Sequence, residues 1–244
     1  MAALLTRKCL LSASLGAMVR PRRADWGRLV RPMTLSLRLL LVVTALFAAT
    51  GARAHPHVWV TMTSELVYAP DGSVTGVRHA WTFDDMFSTF ATQGLESREK
   101  GKFTSEELAP LAQVNVESLK DFDYFTVAQV NGKKTDLNAP VDYWLEFTDG
   151  LLTLHFTLPF KTPVKAQSLN VEMYDPSWFV DFSFAPKDPV KLVNAPSACQ
   201  FAVLRPGEGG QIASKAQPGE AFFNSGAGSN YGAQFANKIA VKCP

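Results

Sequence analysis

Hydrophobic and polar residues alternate along two neighbouring stretches of the sequence. Between Val58 and Tyr68, and again between Val74 and Phe83, about every second residue is apolar, which is typical of strands with one buried face. Residues 70–73, Pro-Asp-Gly-Ser, lie between the two stretches and are residue types that favour a tight turn. The pattern therefore predicts an antiparallel hairpin.

The pattern changes to helical spacing after Asp84. Apolar residues recur there at intervals of about one helical turn, which predicts a first helix. These residues are Met86, Phe87, Phe90 and Leu95. Thr104 and Glu107 have the spacing of a capping box, so we predict a second helix that begins there and runs to about Lys120, with a bend at Pro110.

Strand-like stretches return after the second helix. Asn131-Gly132 and Asp149-Gly150 are dipeptides that two-residue hairpin loops favour. Further strand-like segments cover residues 169–174, 178–184 and 200–204. We predict an α+β fold with mainly antiparallel sheet built from hairpins, and two helices inserted after the second strand.

Residues 35–54 have the features of an export signal. Arg38 precedes an apolar stretch, and Ala52-Arg53-Ala54 has the small-x-small pattern of a cleavage site. The stretch is shorter than the roughly 20 residues that a spanning helix needs. A signal peptide over residues 1–54, with Met33 as an alternative start, is therefore favoured over an uncleaved anchor. We expect a periplasmic protein whose mature chain has no transmembrane span.

The charge is unevenly distributed along the chain. Residues 1–54 hold nine basic residues and one acidic residue, which leaves 15 basic and 21 acidic residues for the remainder. The mature chain is then acidic, and this argues against a nucleic-acid partner.

Two cysteines remain after the leader, Cys199 and Cys243. An even pair in an oxidising compartment predicts one disulfide bond. We expect a single domain over residues 55–205, followed by a loose tail over residues 206–244 that is rich in Gly, Ser and Ala and that the disulfide holds in place.

Cleavage after Ala54 would place His55-Pro56-His57 at the new N-terminus. His55 then offers both its α-amine and its imidazole to a metal ion, and His57 lies two residues on, on the same side of an extended chain. Imidazole ligands suit zinc, copper, nickel and iron. Pro56 has no backbone N–H, which excludes the amide-based copper and nickel site. An unstructured polar terminus is the alternative.

Two further histidines lie in predicted strands, His79 and His155. Each has a structural role on a strand face as its alternative to metal ligation. Among carboxylates, Asp84 and Asp175 are the candidate ligands. Their alternatives are also structural, because Asp84 can cap the following helix and Asp175 can nucleate a turn.

The segment from Glu96 to Glu107 has the length and the glycine of a calcium loop. Arg98 and Lys100, however, occupy the third and fifth positions, where oxygen ligands belong. We therefore expect no calcium there. No GxSxG, HExxH, CxxC or phosphate-binding glycine loop occurs, so we do not expect an enzyme.

Five segments resemble, in order, the bacterial family called domain of unknown function 1007. The segments are HPHVWV, WTFDDMFS, GKFTSEEL, LTLHFTLPF and YDPSWFVDFSF. The resemblance implies a periplasmic component of an uncharacterised ABC-type transport system, associated with nickel, cobalt or zinc. It carries the family's motif residues onto His55, Pro56, His57, Phe83, Asp84, His155, Tyr174, Asp175 and Pro176. Trp178 stands where tyrosine is usual, and the loop SREKGK departs from the acidic loop of many members.

Three functions are consistent with these residues. The first is an accessory protein for a membrane metal permease that binds a divalent transition metal through His55, His57 and His155, with Asp84 or Asp175 completing the site. The second is a metal-free adaptor that contacts the permease through exposed aromatics such as Trp59, Trp178 and Phe179. The third is a copper redox protein with an N-terminal histidine brace.

Overall fold

The computed structural model describes residues 56–207 and 230–244. Eleven strands and two α-helices lie in these residues. In chain order they are β1 (Val58–Tyr68), β2 (Val74–Phe83), α1 (Asp85–Thr92), α2 (Ser105–Leu119), β3 (Thr126–Val130), β4 (Lys133–Thr135), β5 (Val141–Thr148), β6 (Leu151–Val164), β7 (Ser168–Met173), β8 (Val180–Phe184), β9 (Val190–Val193), β10 (Gln200–Leu204) and β11 (Asn237–Lys242). Short 3₁₀ segments cover Lys120–Phe125 and Tyr231–Phe235. The predicted α+β class, with mainly antiparallel sheet, is confirmed.

The strands form two sheets. The first has the order β5-β6-β2-β1-β8, with β9 also paired to β1, and the second has the order β10-β11-β7-β3-β4. Asn131 and Gly132 both have positive φ angles, and so do Asp149 and Gly150, as the tight turns of two-residue hairpins require.

One hydrophobic core lies between the sheets. Alternate residues of β1, β2 and β6 point into it, while the intervening residues form the outer face of the first sheet. Trp81 packs edge-on against Phe156 and Phe182 at centroid distances of 4.7 and 4.8 Å. Such pairs add to the stabilisation that burial provides.

Both helices begin at the predicted caps. The side chain of Asp84 accepts a hydrogen bond from the backbone N–H of Phe87 and caps α1. Thr104 and Glu107 form the reciprocal bonds of a capping box at the start of α2. Leu108, the first of three buried residues at helical spacing along α2, faces the core, so the amphipathic pattern and the observed packing agree.

The C-terminal residues correct the predicted loose tail. Strand β11 lies inside the second sheet between β10 and β7, and Ile239 and Val241 are buried in the core. A disulfide joins Cys199, which precedes β10, to Cys243, which follows β11. The domain therefore includes the end of the chain, while residues 208–229 of the predicted tail lie outside the described part.

Two strands pair in parallel with the same edge of β1. Strand β8 runs beside Val58–Met62 and β9 beside residues 64–67. Strands β7 and β8, on either side of Asp175-Pro176, lie in different sheets, so this connection crosses between sheets. As for helices, none within residues 56–207 or 230–244 is both long enough and apolar enough to span a membrane.

Candidate functional site

His57 lies at the start of β1 and is exposed. Its backbone N–H donates a hydrogen bond to the carbonyl oxygen of Phe179, at 2.8 Å, and its imidazole stacks on the Phe179 ring at 4.6 Å. The chain is therefore held against the residue that precedes β8, one residue before β1 begins. The predicted partner His55 lies outside the described residues.

Asp84 lies beside β1 and has a structural role. One carboxylate oxygen accepts from Phe87 N–H at 2.9 Å and the other from Trp59 N–H at 2.8 Å. The alternative prediction of a helix cap is confirmed. The same carboxylate also joins the start of α1 to β1.

Asp175 is buried, with 3% of its surface exposed. Its Oδ1 accepts from the backbone N–H and the hydroxyl of Ser177, both at 2.8 Å. Its Oδ2 accepts from the N–H groups of Phe179 and Val180, at 3.0 and 2.9 Å. Four hydrogen bonds saturate this carboxylate, so the prediction of Asp175 as a metal ligand is corrected to a structural role in the turn before β8.

His155 lies on the outer face of the first sheet, away from His57. It stacks on Trp144 with ring centroids 4.5 Å apart, and its Nε2 lies 3.2 Å from a carboxylate oxygen of Glu146. The strand register aligns His155 with Ala80 and Ala80 with Thr63. Thr63 is six residues from His57, so the two histidines are separated by about 20 Å and cannot ligate one ion. The prediction of a site that includes both is wrong.

His79 is buried between the two sheets. Its Nδ1 is hydrogen-bonded to the Ser64 hydroxyl at 2.9 Å, and its Nε2 lies 3.4 Å from the Thr126 hydroxyl. Burial lowers the pKa of His79 from 6.5 to about 3, because the charged imidazolium is poorly solvated there. His79 therefore has a structural role, which was its alternative to metal ligation.

The loop that resembles a calcium site is held by its own groups. One oxygen of Glu107 accepts from the Arg98 N–H and the other from the Thr104 N–H, which lowers the pKa of this carboxyl group. Glu99 and Lys102 form an ion pair at 2.6 Å. In residues 56–207 and 230–244, no three His, Cys, Asp or Glu side chains come together as a metal site would require.

An apolar cavity of about 440 Å³ lies beside the start of β1. Its walls come from the first sheet, α1, the C-terminal half of α2 and the 3₁₀ segment Lys120–Phe125. The aromatic residues that line it are Trp81, Phe83, Phe87, Phe122, Phe125, Phe179 and Phe182. Sequence reasoning missed this cavity, and its one local signal is the high density of phenylalanine around the two ends of the helical region.

The sequence also places the chain among known proteins. A family model described as a protein of unknown function (DUF1007) matches residues 40–243. The chain belongs to this family. The match includes β11 and Cys243, and thus the whole of the second sheet.

Two curated relatives match the chain. An uncharacterised protein of Haemophilus influenzae is 24% identical over 210 residues, which cover 83% of this chain and 97% of the relative. A Spirochaeta aurantia protein, described as an uncharacterised 15.5 kDa protein in the trpE 3′ region, is 32% identical over 93 residues. That match covers 38% of this chain and 66% of the relative. Neither description names an activity.

Proposed function

We propose that this protein is an exported, periplasmic accessory protein of a nickel, cobalt or zinc transport system that binds a divalent metal ion at its N-terminal His-Pro-His. The observation that carries the proposal is the placement of His57. Its backbone is bonded to Phe179, its ring is stacked on the same residue, and its side chain is exposed. A ligand that is accessible and already oriented loses little conformational entropy when a metal binds.

The donors of this site come from two residues. His55 contributes its imidazole and, after cleavage of the leader, its α-amine, and His57 contributes a second imidazole. Neutral imidazole nitrogens suit the later first-row divalent metals. Asp84 supports the site indirectly, since its carboxylate joins Trp59, two residues after His57, to the start of α1. His155 and Asp175 are not ligands in this proposal.

The partner in this proposal is a membrane permease that takes up or releases the ion. Trp59 and Phe179 are each 45% exposed, and the helix side chains Met86 and Phe90 are more exposed still. In this proposal these side chains form the contact surface for the permease, as large exposed apolar patches do in other proteins. Trp178, which the sequence suggested as a further contact residue, is buried and stacks on Phe235, so it is removed from this surface.

Calorimetric titration of the processed protein tests the metal site. Protein exported from a bacterial host, with its N-terminus verified by mass spectrometry, is titrated with Zn²⁺, Ni²⁺, Co²⁺ and Cu²⁺. We expect one ion per chain, bound more tightly than about micromolar, or roughly 8 kcal/mol. His57→Ala and one extra residue before His55 should each abolish binding. His155→Ala is the matched control and should leave it unchanged.

The metal-free adaptor is the second candidate, and the exposed aromatic residues favour it. It predicts that none of the four ions binds tightly and that a chelator has no effect on complex formation with the permease. Trp59→Ser should then weaken that complex. If His57→Ala weakens the complex only when metal is present, the accessory function stands and the adaptor is excluded.

A further inference from the structure

The apolar cavity beside β1 is a second candidate site that uses none of the proposed metal ligands. On the sheet side, Val58, Val60 and Phe182 form its wall, and Trp81 lies among them. On the opposite side, Asn115, Ser118 and Leu119 of α2 border it together with Phe122. Cavities of 300–1,000 Å³ with mostly apolar walls are typical small-molecule sites, and this cavity falls within that range.

The interior of the cavity offers no charge to a ligand. Asp175 is the one ionisable residue among those that line it, and its two oxygens already accept four hydrogen bonds from the turn that follows it. The remaining wall is aromatic or aliphatic, apart from Asn115 and the serines. A ligand body that enters must therefore be uncharged and apolar, because a buried charge would find no partner there.

The surroundings of the cavity are acidic and rich in acceptors. Asp84 and Asp85 lie in the chain between the lining residues Phe83 and Phe87, and Asp121 directly precedes the lining residue Phe122. Lys120 is the basic residue in these two segments. Carboxylates attract a cation and repel an anion.

Asn115 adds an oriented acceptor beside these carboxylates. Its side-chain N–H donates to the carbonyl oxygen of Leu111 at 2.8 Å, which leaves the amide oxygen to accept from a ligand. This acceptor favours a head group that donates hydrogen bonds.

We propose that this cavity binds a small molecule with an apolar body and a cationic head, such as an alkyl or aryl ammonium compound. The apolar walls of the cavity take the body, and the carboxylates and the Asn115 amide oxygen interact with the head. None of the residues that line this cavity is a ligand of the proposed metal site. Binding to the cavity is therefore tested with a chelator present.

Fluorescence of the neutral probe N-phenyl-1-naphthylamine tests the cavity in the full mature chain with EDTA in excess. We expect saturable binding of one probe per chain. Dodecylammonium, whose head carries N–H donors, should displace the probe at a concentration at least about tenfold lower than dodecyl sulfate, which corresponds to about 1.4 kcal/mol. Both competitors are kept below their micelle concentrations.

Two substitutions on α2 distinguish probe binding in the cavity from probe binding to other surfaces. Ser118→Trp places a bulky ring among the lining residues and should weaken probe binding at least about tenfold. Glu117→Trp, at the next exposed position of α2 and outside the lining, is the matched control and should bind like the parent. Circular dichroism checks that both variants fold.

Three results would overturn the proposal. Probe fluorescence that does not saturate would exclude a defined site. Equal binding by the Ser118→Trp and Glu117→Trp variants would place the probe elsewhere. Displacement by dodecyl sulfate as readily as by the ammonium compound would contradict the cationic class. Failure of the metal titration affects none of these readouts, since they are made without free metal.

Discussion

The buried interior of the domain and the exposed start of β1 each contain a histidine, and the surroundings of the two histidines differ. His79 and Asp175 are almost fully buried, and hydroxyl or backbone groups already bond to their polar atoms. His57 is exposed, its backbone N–H donates to Phe179, and its ring stacks on the same residue. Residue type alone does not assign a ligand. Burial separates a structural group from one that an ion can reach.

The largest expected contrast is between the two aspartates. Asp175→Ala leaves the partly buried N–H groups of Phe179 and Val180 without their acceptor and should cost about 3 kcal/mol of unfolding free energy. Asp84→Ala removes a helix cap and should cost about 1 kcal/mol. Urea unfolding of both variants and the parent measures the difference. Losses of equal size would contradict the distinction between the two carboxylates.

Local features of the fold were predictable because they depend on residues close in sequence. The capping box of Thr104 and Glu107 is an example, since its two hydrogen bonds span three residues. Strand β11 was missed because it follows a stretch rich in glycine and serine, and only its pairing with β7 and β10 buries Ile239 and Val241. Short strands of this kind depend on tertiary partners.

For the candidate site, the sequence predicts the face of the sheet on which a residue lies but not its distance from another residue. Alternation along a strand places His155 on a face of the sheet, but its distance from His57 depends on the register of three strands. The register places His155 level with Thr63 rather than with the start of β1. The cavity could not be predicted, because its walls come from segments up to about 120 residues apart that only the complete fold brings together.

The next contrast concerns His79 and the response to acid. The folded pKa of about 3 lies below the usual 6.5, so the unfolded chain binds more protons at pH values between them. Stability should therefore decrease as the pH falls below 6.5, by up to about 1.4 kcal/mol for each pH unit. Urea unfolding at pH 7, 5.5 and 4.5 measures this slope.

His79→Leu should reduce this slope, because the substituted residue takes up no proton on unfolding. An unchanged slope in the His79→Leu variant would show that other groups cause the acid response.

The smallest expected change in stability is at His57. Its side chain is exposed, so His57→Ala should lower the unfolding free energy of the metal-free chain by less than about 1 kcal/mol. With saturating metal, the parent should gain stability by mass action and the variant should gain none. Thermal unfolding with and without Zn²⁺ measures both effects. A variant that gains as much as the parent would exclude His57 as a ligand.

The most direct test of the central claim is an NMR titration of the four histidine side chains in the processed protein. Long-range ¹H–¹⁵N spectra of the imidazoles are recorded as Zn²⁺ is added to one equivalent, with His57→Ala and His155→Ala used for assignment. We predict that the resonances of His55 and His57 shift together while those of His79 and His155 stay in place. A shift of His155 with the ion, or no shift of His57, would contradict the account.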